Sequence, residues 1–86
     1  METEERLREE EERLRRLRLL VDVTAQVLSE DDKLTFCEAL RLVEAAHTAA
    51  LRLFPDKDET FELVIRPRLD RIILERFQIP SPTPVN

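Results

Sequence analysis

The chain contains no glycine in 86 residues. An average domain of this length would carry about six. Glycine is the usual residue wherever the backbone needs positive φ: hairpin turns, bulges, phosphate loops and many helix C-caps. Its absence disfavours β-hairpin architectures and glycine-rich nucleotide loops. What remains is helices joined by turns built on Pro and Asp.

The length suits one domain. A chain this small buries a modest share of its surface, and oligomerisation is a common remedy. Hydrophobic residues make up 42%, enough for a core and too many for a wholly disordered chain. With four Phe and no Trp or Tyr, that core must be mostly Leu, Ile, Val and Ala. The net charge of −5 argues against non-specific binding to nucleic acid or an anionic membrane, which needs a basic footprint. Cys37 stands alone, so no internal disulfide can form, and a reducing compartment fits. The N-terminus is rich in Glu and Arg and lacks an apolar signal core. No apolar run approaches the roughly 18 residues of a membrane-spanning helix. These features together predict a soluble, cytoplasmic protein.

The first helix is expected from about Thr3 to Leu28. Glu4–Arg8, Glu9–Arg13, Glu11–Arg15 and Glu12–Arg16 are spaced by four in the favourable orientation for surface ion pairs. The charges are also sorted along the axis: residues 1–12 hold seven Glu and two Arg, and residues 13–18 hold four Arg and no acid. Leu7, Leu14, Val21 and Leu28 recur every seven residues with Leu17 midway, while the other midpoints, Glu10 and Thr24, are polar. This is a broken coiled-coil heptad. From Leu17 onward, Leu19, Leu20, Val21, Val23, Val27 and Leu28 surround most of the helix, so that half should be buried on more than one side. The first dozen residues have almost nothing to bury and should fray, project into solvent or meet a partner.

Ser29 is the expected cap of a second helix running from about Glu30 to Leu53. Phe36, Leu40, Val43, His47, Ala50 or Leu51, and Phe54 follow helical spacing. The Ala pairs at 45–46 and 49–50 leave a low surface for a close neighbour. Pro55 should end this helix. Asp56 or Asp58 is the expected cap of the third, with Asp56 and Glu59 at capping-box spacing. Phe61, Ile65, Leu69, Ile72 and Phe77 keep one side of it apolar, and Pro67 should kink or split it near Ile65. The alternation in Phe61-Glu62-Leu63-Val64-Ile65 would also suit a strand, but no second strand is evident to pair with it. Residues 78–86, with alternating prolines, read as an extended tail outside a helical domain of residues 1–77.

One spacing suggests chemistry: Glu44-Ala45-Ala46-His47. Glu and His three apart share a helix side and can share a metal, as in di-iron carboxylate bundles, which need two such pairs. This chain has one, so a symmetric dimer would supply the second, with Glu38, Glu62 or Glu30 as bridging carboxylates. In this four-residue motif alone, the chain resembles the short ferritin-like proteins that assemble their iron site across a subunit interface. The resemblance implies iron, or another divalent metal, held by Glu44 and His47, with ferroxidase activity. The plainer reading is a partly buried His47 beside Val43 and Ala50, with Glu44 facing solvent.

Other candidates are thinner. Cys37 lies about 15 Å from His47 along one helix, too far for a nucleophile and its base, and reads as a small buried hydrophobe. The Arg runs at 13–18 and 66–71 lack interleaved aromatics for stacking on bases and read as ion-pairing surfaces. The tail prolines, at 80, 82 and 84, do not follow Pro-x-x-Pro spacing.

The sequence therefore predicts an all-α protein of three helices, with surplus aliphatic surface favouring a homodimer that forms a larger bundle. The expected role is non-enzymatic: a helical protein–protein interaction module with Glu–Arg pairs selecting register. The expected contact surface is Leu14, Leu17, Leu20, Val21, Val23, Val27, Leu28, Ala46 and Ala50.

Overall fold

We describe residues 2–78 in a computed structural model of the chain. Among them there is no strand. The molecule is three helices: α1 (Glu2–Glu30), α2 (Phe36–Leu53) and α3 (residues 58–76). They run up, down and up, with α1 packed on both α2 and α3 and α2 also against α3, in a body of principal extents 55 × 32 × 16 Å. Among the described residues, no helix is long and apolar enough to cross a membrane.

The second helix starts six residues later than the sequence pattern suggests, and for a clear reason. Thr35, in extended conformation, accepts a hydrogen bond from the Glu38 backbone N–H, and the Glu38 carboxylate accepts one from the Thr35 N–H. This reciprocal box satisfies two donors that an open helix end would leave bare. Ser29 caps nothing: it is still inside α1 and donates back to the carbonyl of Ala25. Nor is α3 capped by Asp56 or Asp58. Its N-cap is Lys57, which makes no side-chain cap bond.

Pro67 does not break α3. The helix widens instead: Asp58–Thr60 is α-helical, Phe61–Ile65 is π-helical, and α-helix resumes over Arg66–Arg76. The Arg66 N–H reaches the Phe61 carbonyl five residues back. The wider turn relieves the clash between the proline ring and the carbonyl four residues earlier. It also aligns the core. Residues four apart overshoot an ordinary helical turn by about 40°, whereas in the wider π turn they fall short of it. The two drifts cancel, and Phe61, Ile65, Leu69 and Ile73 all face inward.

The core is built from Leu28, Ala39, Val43, Ala50, Phe61, Leu69 and Ile73, with Leu17, Leu20, Ile72 and Phe77 packed around it. The α2 stripe is Ala39, Val43, Ala46 and Ala50, whose small side chains let α1 and α3 approach. Phe36 and Leu40, expected inside, lie one step around the helix and are exposed. Phe36 still meets Phe77 edge to face at 5.6 Å. Cys37 is exposed rather than buried, because the late start of α2 makes Ala39 the first inward residue. Thr24, at a polar heptad midpoint, is buried and donates its hydroxyl to the Leu20 carbonyl at 2.7 Å, so its burial leaves no bond unmade.

At the closed end, Arg76 donates to the Leu28 carbonyl at 2.8 Å and to the Asp31 carbonyl. It thereby satisfies the last carbonyls of α1 from another helix. Gln78 then adopts φ 53°, the left-handed position that glycine usually fills after a helix. The prolines at 80, 82 and 84 lie outside the described residues.

Candidate functional site

Two places in this fold gather side chains that do more than fill the core. The first is the junction between α2 and α3. His47, on the third turn of α2, is half-buried and stacks on Phe61 with ring centroids 4.6 Å apart. Its Nε2 lies 2.6 Å from Asp58 Oδ1 and 3.5 Å from Glu62 Oε1. The π segment turns Glu62 and Arg66 toward this ring. Arg66 binds Glu62 through Nε and Glu44 through a terminal nitrogen, both at 2.8 Å. Its other terminal nitrogen is 3.3 Å from His47 Nδ1.

A guanidinium can only donate, so the Arg66 contact is a hydrogen bond only in the tautomer that keeps its proton on Nε2, the one in which the ring also donates to Asp58. The hydrogen bond to Glu44 raises the Arg66 pKa above its usual value, with Glu62 adding to the effect. Asp70, one turn further along α3, has its pKa raised by burial, partly offset by the Arg66 charge. Two carboxylates (Glu44 and Glu62) thus hold one guanidinium while a third (Asp58) meets the imidazole, and the cluster clasps the second half of α2 to the start of α3.

The pair singled out by spacing is divided by this arrangement. His47 joins Asp58 and Glu62, whose ligand atoms all fall within 4.8 Å. Glu44 is on the opposite side of the ring, 4.0 Å from Nδ1, and is taken up by Arg66. Sequence reasoning named Glu62 only as a bridging candidate across a dimer and missed Asp58. The signal available was the four-residue step from Asp58 to Glu62, which places both on one helix face.

The second place is the open end of the bundle. At about 1.5 Å per residue, α1 is much longer than α2, and its first dozen residues run past the end of it. Below this arm, α1, α2 and α3 leave a groove of about 310 Å³, lined by Leu14, Leu17, Leu51, Phe54, Phe61 and Ile65, with Glu10 and Lys57 at its edges. The Arg13 guanidinium lies 5.6 Å above the Phe54 ring on the same rim. Leu7, further out on the arm, is 55% exposed, and Leu14 is 40% exposed.

No protein-family model, curated protein or solved structure matches this chain. Its own geometry has to carry any functional reading.

That geometry redistributes the expected contact surface. Val21, Leu28, Ala46 and Ala50 are buried within the chain, and Leu17 and Leu20 pack on the core. The first four are covered by the chain itself, while Leu17 also lines the groove. Val27 is half-buried. Leu14 and Val23 stay exposed, as does Leu19. Of the four expected Glu–Arg pairs on α1, only Glu12–Arg16 forms among the described residues, at 3.1 Å.

Proposed function

We propose that this protein is a non-enzymatic helical interaction module that takes a partner helix against the α1 arm and the groove at the open end. The observation that supports this reading is the groove itself: an apolar trough between three helices, continued by Leu7 on an arm that runs past the end of α2 among the described residues. A lone helix of a dozen residues is marginal in water, so an arm with one apolar residue beyond the groove gains its stability from what it meets. The mechanism is burial of an amphipathic helix against Leu14, Leu51 and Phe54, with charged residues on the rim.

Two readouts test it: binding of an anilinonaphthalene sulfonate dye to dilute protein, and the mass by light scattering of concentrated protein. The wild type is expected to bind dye, associate, or do both. The double variant Leu7→Glu/Leu14→Glu is expected to lose that behaviour with little change in Tm, because both side chains are exposed. A wild type that neither binds dye nor associates would remove the proposal. So would a double variant that behaves as the wild type does. Leu19→Glu/Val23→Glu serves as the comparison on the opposite side of α1, away from this groove.

A second reading rests on the convergence of His47, Asp58 and Glu62: a divalent cation, zinc or ferrous iron, bound within one chain. His47 Nε2 would first give up its proton, and Nδ1 would take one and turn it toward Glu44 rather than Arg66. Such a carboxylate–histidine–metal order is usual in metal sites. A rise in Tm with zinc or ferrous iron that disappears in His47→Ala supports this reading, and an unchanged Tm argues against it.

A further inference from the structure

We infer that the occupant of the groove is the α1 arm of a second copy of this chain, laid antiparallel across the first. The inference rests on the interaction-module reading and adds the partner and its direction. The argument is charge. The arm of residues 1–12 holds seven Glu and two Arg, and the next six residues hold four Arg and no acid. Most of these charges are not used within the helix, since Glu12–Arg16 is the one α1 ion pair among the described residues.

Two arms side by side in the same direction would set Glu against Glu and Arg against Arg. Reversing one about an axis near Glu11 sets Glu4 of each copy opposite Arg18 of the other and Glu9 opposite Arg13, while Glu10, Glu11 and Glu12 of the two copies meet at the axis. Two-fold symmetry then makes the same match twice with one surface. Position along the groove follows from the apolar residues. Leu7 is the exposed apolar side chain beyond the groove, and Leu14 and Leu17 line the groove. Seating Leu7 of one copy against Leu14 and Leu17 of the other places the symmetry axis close to Glu11. In that register the acidic arm also passes the Arg13 and Lys57 rim, and Glu10 comes within reach of the other copy's Arg13.

The test uses the full chain with Cys37→Ser as background. A single cysteine is placed at Glu11→Cys or at Glu4→Cys, and a bismaleimide spanning about 8–10 Å, the distance between packed helix axes, is added. In the antiparallel pair, position 11 meets its own copy and should give a covalent dimer. The two copies of position 4 lie roughly 20 Å apart by helical rise and should not react with each other. The mass by light scattering should double from 10.2 kDa as concentration rises, and rising salt should reverse this, because exposed charges are screened. Cross-linking at both positions would mean a parallel pair and would overturn the inference. A doubled mass with no cross-link at position 11 would mean another face and would also overturn it. Dye binding by a protein that stays at 10.2 kDa at every concentration would overturn the second copy as partner while leaving the groove's role intact.

Discussion

At the scale of single residues, the strongest local choices are made by polar side chains at helix ends. Thr35 and Glu38 fix where α2 begins, and the bonds from the Thr35 backbone and hydroxyl lower the Glu38 pKa below its ordinary value. A lowered carboxylate contributes stability above its unfolded-state value and loses it as pH falls through the folded one. Thr35→Ala should cost about 1 kcal/mol in denaturant unfolding, and its deficit relative to the wild type should shrink in acid. Asp70 works in the opposite direction. Burial raises its pKa, so its charged form is disfavoured in the fold and its contribution worsens as pH rises through that range. Asp70→Asn should therefore raise Tm at neutral pH and do little at low pH. The capping box is written in the sequence as Thr35-x-x-Glu38, but Ser29, ahead of an acidic run, offers the same cap chemistry. Ser29 fails because the apolar pattern of α1 has not yet ended there: Leu28 is fully buried, and α1 continues to Glu30.

At the scale of elements, periodicity locates the helical segments and most of their inward faces. On α2 the expected stripe of Phe36, Leu40, Val43, His47, Ala50 or Leu51, and Phe54 meets the buried line of Ala39, Val43, Ala46 and Ala50 at Val43 and Ala50 and misses it at Phe36 and Leu40. Apolar size alone favours Phe and Leu, while close packing of three helices favours Ala on the shared side. The widened turn in α3 was not legible, because Pro67 only announces that something must give way. That turn amounts to one surplus residue. Removing Val64, which is 64% exposed, brings Phe61 and Leu69 to a spacing of seven, near two whole turns of ordinary helix. Pro67 would then clash with the carbonyl four residues before it, at a cost of about 3 kcal/mol or more. Deleting Val64 alone should lower Tm sharply, and combining the deletion with Pro67→Ala should recover much of the loss, as read by circular dichroism melting. If the deletion alone is harmless, the proline is not what widens the turn. The candidate clasp was legible only in part for the same reason: the π turn brings Glu62 and Arg66 to His47, and no regular period forecasts it.

At the scale of the whole molecule, the absence of glycine correctly pointed to an all-helical chain. The sequence also contained the sorted charges of α1, although their expected partners lay within the helix. Packing shows why the surplus aliphatic surface was overestimated. Much of it is taken up by the chain's own three-way contact, and what stays outside is Leu7, Leu14, Leu19 and Val23 on α1, Phe36 and Leu40 on α2, and Leu63 and Val64 on α3. The 16 Å thickness carries a practical consequence. A compact body of this many residues has a radius of gyration of roughly 12 Å, and this slab measures 15.4 Å. A single copy will tumble slowly and leave a sizing column early, imitating a heavier species. Elution volume would thus counterfeit a pair where none has formed, and only scattered intensity or sedimentation equilibrium weighs the particle independently of its outline.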